Sequence, residues 1–263
     1  MRVIFAGTPL NAAATLMALK KSGIDVVGVL TRTDAPVGRK KVLTQSPVAE
    51  AAQALGIPVI KANLVDEEAL AAIAALNADL GVVVAYGALL KEVVLNALPM
   101  GWVNLHYSLL PALRGAAPVQ HALLQDLPTT GVTVFQLDKG MDTGPILLQA
   151  PTAIEPNENA GRLRNRLTDI RISVLLEILP SIAAGLAKPL IQDASKVSFA
   201  PKIDRADAQI DWSRSAREIQ QLRAAAVMLE AGKPGRARAA EAAIDLAVAR
   251  EETQDPTAKK LLA

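Results

Sequence analysis

The chain has no cysteine, which excludes disulfides, a thiolate nucleophile and Cys-ligated zinc, and fits a reducing compartment. Aromatic residues are only 3% of the 263, so a core must be built from Ala, Leu, Val and Ile; with 51% hydrophobic residues there is ample material for one. Charged residues reach 21%, against roughly 25% in an average globular protein. The net charge of +2 permits a nucleic-acid partner without arguing for one. No run of about 18 apolar residues occurs, so no membrane span is expected. The opening MRVIFAGTP runs straight into a breaker and does not read as a signal peptide. A cytoplasmic protein is the expectation. A dinucleotide fingerprint needs three glycines between strand and helix, and Gly7-Thr8-Pro9 supplies one.

What is present is alternation. Short apolar runs read as strands at Arg2–Ala6, Asp25–Leu30, Pro58–Lys61, Asp79–Tyr86, Trp102–His106, Val132–Leu137 and Ile146–Gln149. Helical patterns fall at 10–22, 47–55, 66–76, 88–97 and 115–124. A long helix over 161–184 is expected to be interrupted at Pro180. Ser46-Pro47 suits an N-cap and first helical position, and acidic residues open the 66–76 helix. Such β/α alternation predicts an α/β fold, a Rossmann-like, doubly wound and mostly parallel sheet with helices on both faces. Residues 190–213 read as irregular, 214–231 and 236–250 as helical, and the final dozen as loose.

The chemistry is argued from Asn104-Leu105-His106. Residues two apart on a strand face one side, so Asn104 and His106 project together at a strand's carboxyl end, where open α/β sheets hold ligands. Asp142 sits in the turn Lys139–Gly144, flanked by glycines. If that turn folds over the strand end, Asp142 can orient or charge His106; the same composition also suits a plain structural turn. Pro111 forces Ser108-Leu109-Leu110-Pro111 out of the sheet. Arg32, Arg39, Lys40 and Lys41 make 32–41 a basic loop, either a solvated charge run or a holder of nucleic-acid phosphates.

These residues resemble a known family. VNLHYSLLPALRGAAPVQ (103–120) is similar to the signature of the methionyl-tRNA formyltransferases. FAGTP (5–9), TDAPVGRKK (33–41), SPV (46–48), VVAYGALL (83–90), GVT (131–133), MDTGPIL (141–147) and IDWS (210–213) follow in the family's order. The resemblance runs to about residue 222. Its Asn-His…Asp core is shared with other folate formyltransferases; the Arg-Gly-Ala-Ala-Pro run and IDWS narrow it. It implies formyl transfer from 10-formyltetrahydrofolate to the α-amino group of initiator methionyl-tRNA, with no metal. Asn104 and protonated His106 would stabilise the oxyanion, and Asp142 would hold His106 and help accept the amine proton. Ser108, Leu109, Leu110 and Pro111, with Tyr86, Gly87 and Leu89, would line the folate pocket. Arg39, Lys40 and Lys41 would touch the tRNA.

The chain departs from the family pattern after residue 223. The Asn-Pro-x-Pro-like turn is missing, and the remaining residues read as helical where the family has a β-barrel. Leu113 stands where Trp is frequent, Thr33 where Pro is usual, and Leu10-Asn11 where an acidic residue is common. The expected organisation is a catalytic domain over 1–189, a linker over 190–213, and a reduced helical C-terminal region over 214–263 without a complete barrel. A monomer is expected. Two alternatives stay open: a formyltransferase for a small amine such as an amino-sugar nucleotide, and a degenerate, non-catalytic folate- or tRNA-binding protein.

Overall fold

Apolar residues fill both faces of β1 (Arg2–Gly7): Val3 and Phe5 point into one core, Ile4 and Ala6 into another, and all four are fully buried. A strand buried on both faces belongs in the middle of a sheet covered twice. The computed structural model describes residues 1–38, 40–204, 207 and 209–230, the last five as backbone only. Its seven-stranded sheet runs β5 (Val59–Lys61), β2 (Asp25–Thr31), β1, β6 (Leu80–Val84), β7 (Trp102–His106), β8 (Thr129–Gln136), β9 (Ile146–Ala153). The first five strands are parallel, and β8 and β9 close the sheet as antiparallel neighbours.

One face is covered by α1 (Leu10–Lys21), α2 (Pro47–Ala54) and α6 (Ala160–Ala183), through Leu16, Leu19, Val48, Leu175 and Leu179. The other carries α3 (Glu67–Ala75) and α4 (Glu92–Leu95), through Ala69, Ile73 and Val94. Each fully buried leucine or isoleucine contributes about 1.5–3 kcal/mol. Helix starts follow the local chemistry: Ser46 Oγ accepts from Ala49 N at 3.0 Å, and Asp66 Oδ1 from Ala69 N at 2.9 Å. The α/β, mostly parallel fold expected from the sequence is the one observed.

Four local readings need correction. The expected helix over 88–97 shrinks to Glu92–Leu95, because Ala85 and Gly87 take left-handed backbone and turn 85–91 into a loop. The helix expected from 115 begins at Pro118, since Arg114–Ala117 is bonded to Ser198 and Ala200 instead. The basic loop is a hairpin of β3 (Ala35–Val37) and β4 (Val42–Thr44). Pro180 does not interrupt α6; Leu175, Ile178 and Leu179 anchor that turn in the core, and the helix continues to Ala183.

After α6 the chain bridges Ile146 through Leu190 and Arg114 through Phe199, and α7 (Ala216–Glu230) packs on α6 and on α5 (Pro118–Leu124) with Ile219 and Ala225 buried. The helix expected over 236–250 and the loose last dozen residues lie outside the described residues. Among the described residues no helix is long and apolar enough to cross a membrane.

Candidate active site

Strand order reverses between β1 and β6, with β2 and β5 leading one way and β7 the other. That reversal opens a crevice at the carboxyl ends of the strands. β7 delivers its last residues there. Leu105 points into the α1/α6 core, so Asn104 and His106 share the opposite face, as the two-residue period requires.

His106 is 6% exposed, and its two ring nitrogens have different neighbours. Nε2 lies 2.8 Å from the Leu113 carbonyl oxygen, which can only accept, so Nε2 carries a proton. Nδ1 lies 3.7 Å from Asp142 Oδ2, an ion-pair distance when the ring is charged and too long for a direct hydrogen bond. That carboxylate oxygen accepts the Gly115 backbone N–H at 2.8 Å. Asn104 Oδ1 accepts the Leu105 N–H at 2.9 Å, which leaves its NH₂ group to donate into the crevice. The three residues singled out in the sequence are thus brought together.

One support is strained: Leu113 has φ of 58°, while Asp142, at 54°, occupies the left-handed region that aspartate and asparagine enter more readily than other side chains. Left-handed backbone costs a residue with a side chain roughly 1–2 kcal/mol. Such outliers at a cluster of polar groups mark a site whose surroundings over-determine it.

A cleft of about 440 Å³ adjoins the trio. Its apolar walls come from Val83, Leu90, Leu95 and Leu137, and its polar end from Asn104 and Asp142. Tyr86, Gly87 and Leu89 line it. Tyr86 does so with its backbone: its phenol donates to Ala62 O at 2.6 Å, and its carbonyl accepts from Thr8 Oγ1 at 2.7 Å. Burial pushes the Tyr86 phenol above its usual range, against the opposing pull of Arg32. Arg32 is a brace for this loop, donating to Gly87 O at 2.7 Å and Asn63 Oδ1 at 3.0 Å.

Ser108, Leu109, Leu110 and Pro111 do not line the cleft. Leu110 is buried against Phe135 and Ile146, and its carbonyl accepts from Gln149 at 2.9 Å. Thr133 Oγ1 donates to Ser108 O at 2.7 Å and accepts from Leu110 N at 3.1 Å. The segment, with a cis Leu110–Pro111 peptide, is bolted to β8 and β9 behind His106. Lys40 and Lys41 are exposed on the β3–β4 hairpin, and Arg39 lies outside the described residues. Sequence reasoning missed Leu113 and Gly115, which act through backbone atoms that no side-chain pattern reveals. Thr133 had a signal in the Gly-Val-Thr triplet. Among the described residues no group of three or more His, Asp or Glu is placed to hold a metal ion.

Residues 1–179 match the Formyl transferase family, and the chain belongs to it. Phosphoribosylglycinamide formyltransferase of Bacillus halodurans superposes with a TM-score of 0.57 at 25% identity, over 71% of this chain and 95% of that one. An N-formyltransferase from Helicobacter canadensis, in complex with folinic acid and dTDP-3-aminofucose, shares the fold with a TM-score of 0.66 at 18% identity, over 87% and 81%. Methionyl-tRNA formyltransferase of Acidothermus cellulolyticus is 50% identical over 223 residues, covering 84% of this chain and 69% of the relative. Within the formyl transferases, the chain is a member of the methionyl-tRNA formyltransferase family.

Proposed function

We propose that the chain transfers the formyl group of 10-formyltetrahydrofolate to the α-amino group of initiator methionyl-tRNA in the cytoplasm. The observation that carries this reading is a buried His106 with Nδ1 toward Asp142, which lines the cleft together with Asn104, in a chain 50% identical to a methionyl-tRNA formyltransferase. That relative favours the tRNA acceptor over a small amine.

The folate is a substrate, and the cleft suits it. Apolar walls accept a flat heteroaromatic ring, and the polar end at Asn104 and Asp142 meets its reacting group. Asn104 Nδ2 donates to the formyl oxygen as negative charge develops there. Because Nε2 of His106 is taken by Leu113, Nδ1 is the ring atom available to the reacting groups, and it carries a proton only in the charged ring. Asp142 stabilises that charged ring and accepts the amine's proton, directly or through water. Lys40 and Lys41, with Arg39, hold tRNA phosphates. Residues 1–189 form the catalytic domain and 190–213 a linker, and the enzyme works as a monomer.

The test is a transfer assay with 10-formyltetrahydrofolate and charged initiator tRNA, with His106→Ala alongside. Formyl-methionyl-tRNA is expected from the unmutated chain, and about 10²–10³ less from the variant. Product from neither, with an amino-sugar nucleotide formylated instead, would overturn the reading.

A further inference from the structure

The segment after α6 does more than link. Gln192 is 8% exposed and spends all its hydrogen-bonding capacity within the site's supports. Its Oε1 accepts from Arg114 Nε at 3.1 Å and Nη2 at 2.6 Å. Its Nε2 donates to Asp142 O at 2.9 Å and Gly144 O at 2.7 Å. One side chain thereby joins two loops. The first holds Leu113, whose carbonyl fixes His106 Nε2, and Gly115, whose N–H fixes the Asp142 carboxylate. The second carries Asp142 itself in left-handed backbone. The first loop bonds His106 at Nε2 and Asp142 at its carboxylate, and the second carries Asp142 toward Nδ1.

We propose that Gln192 is a positioning residue for formyl transfer, setting the His106–Asp142 separation by clamping Arg114 to the Asp142–Gly144 backbone. The proposal rests on the function proposed above. The chemistry of the clamp is specific. An amide offers an acceptor to the guanidinium and a donor to the two carbonyls at once. Glutamate keeps the acceptor but presents a second carboxylate oxygen to the carbonyls. Alanine keeps neither. The neighbouring strap adds fixed points that do not depend on Gln192: Leu113 N donates to Ser198 Oγ at 2.9 Å, and Ala200 N to Arg114 O at 2.7 Å. Loss of the clamp therefore loosens the pair without dissolving the loop. A displacement of about 1 Å in a reacting group can cost 10²-fold.

The test compares the full chain with Gln192→Ala and Gln192→Glu. In both variants kcat is expected to fall about 10- to 100-fold, with KM for the folate and the tRNA changed less than about threefold, as removal of an interaction needed only in the transition state predicts. The chain has two histidines, so ring ¹⁵N signals separate His106 from His121 once a His106→Gln sample assigns them. Both Gln192 variants are expected to move the His106 signals and leave those of His121 in place. Unchanged kcat, or unchanged kcat with raised KM, overturns the proposal, as does an unmoved His106 spectrum. If Gln192→Ala does not fold, the near-isosteric Gln192→Glu decides alone. If the unmutated chain transfers no formyl group, the functional reading fails, and the ring spectra still decide whether Gln192 positions His106.

Discussion

His106 Nε2 and the carbonyl oxygen of Leu113 are 2.8 Å apart, and that bond assigns the two ring nitrogens different work. Nε2 anchors; Nδ1, facing Asp142, acts. Glutamine in place of His106 can still reach Leu113 with its amide but puts nothing where Nδ1 was. His106→Gln is therefore expected to keep a melting temperature within a few degrees of the unmutated chain while transferring formyl groups about 10²–10³-fold more slowly. Calorimetry and single-turnover rates check this. A rate within tenfold of the unmutated chain shows that Nδ1 is not the working atom.

Asp142 separates charge from conformation. Asparagine tolerates left-handed backbone and still accepts from Gly115, so Asp142→Asn removes only the negative charge near His106. Its rate is expected to fall by about 10²–10⁴, the usual worth of a positioned acid or base, with little change in stability. Asp142→Ala loses the Gly115 bond and is strained at φ 54°, so it should lose about 1–2 kcal/mol more in urea unfolding than the asparagine variant. Equal stabilities of the two variants would show that the loop is held without them.

Much of this was legible in the residues. β7 begins and ends where its apolar run does, and Ser46 and Asp66 cap the helices they were expected to start. The shared face of Asn104 and His106 follows from strand period, whereas the glycine-flanked turn left Asp142 with two readings and the family resemblance completed the trio. What escaped was set by tertiary contacts. Residues 88–97 read as a helix, yet Thr8 and Arg32 bind the carbonyls of Tyr86 and Gly87 just before it and hold 85–91 as a loop along the cleft. Thr133 and Gln149 take polar groups of Ser108–Pro111, contacts that the strand-breaking Pro111 alone does not reveal. Arg32 counts as basic-loop charge in the sequence and is a brace in the fold.

Acid stability has an identifiable contributor. Burial by itself pushes the Glu158 carboxyl up, but hydrogen bonds from Arg166 and from Glu155 N–H, with the nearby charges of Arg166 and Arg162, outweigh it and hold the group below its ordinary value. A carboxyl depressed in the folded state adds stability above its unfolded pKa, about 4.3. The gain is lost as pH falls through the lower folded value. Glu158→Gln is expected to cost about 1–3 kcal/mol at pH 7, from the loss of charged hydrogen bonds, and progressively less below about pH 4. A cost independent of pH, measured by urea unfolding at pH 7 and pH 3, removes the charge from the explanation.

The β3–β4 hairpin predicts a salt effect. Lys40 and Lys41 are exposed at its turn. If each neutralises one phosphate, alanine at either position weakens tRNA binding and lowers the slope of log K against log salt by about 0.7–0.9. Folate affinity should not move. Binding titrations at several salt concentrations test this; an unchanged slope places the tRNA elsewhere.

Arg171 poses a balance of opposing terms. It is fully buried, with its guanidinium carbon 4.7 Å above the Tyr107 ring. Nη2 donates to Asn11 O at 3.0 Å and Thr15 Oγ1 at 2.8 Å, while Nε has no partner. Burial pushes its pKa down against the pull of Tyr107, and among the described residues no carboxylate forms an ion pair with it. A desolvated cation–π contact returns about 2 kcal/mol and hydrogen bonds from a charged group about 1.5–3 kcal/mol. Against these stand a desolvation cost of several kcal/mol per ion and about 1–3 kcal/mol for the unpaired Nε. Removing the side chain orphans little: Thr15 Oγ1 keeps Asn11 O at 3.2 Å, and Tyr107 keeps Asn11 Nδ2 at 2.9 Å and Thr168 at 2.8 Å. Arg171→Met fills similar volume with no charge to desolvate. It is expected to be neutral or stabilising by about 1–4 kcal/mol, read as an unchanged or higher melting temperature. A fall of more than about 4 °C would show instead that the contact over Tyr107 outweighs the cost of burying the charge.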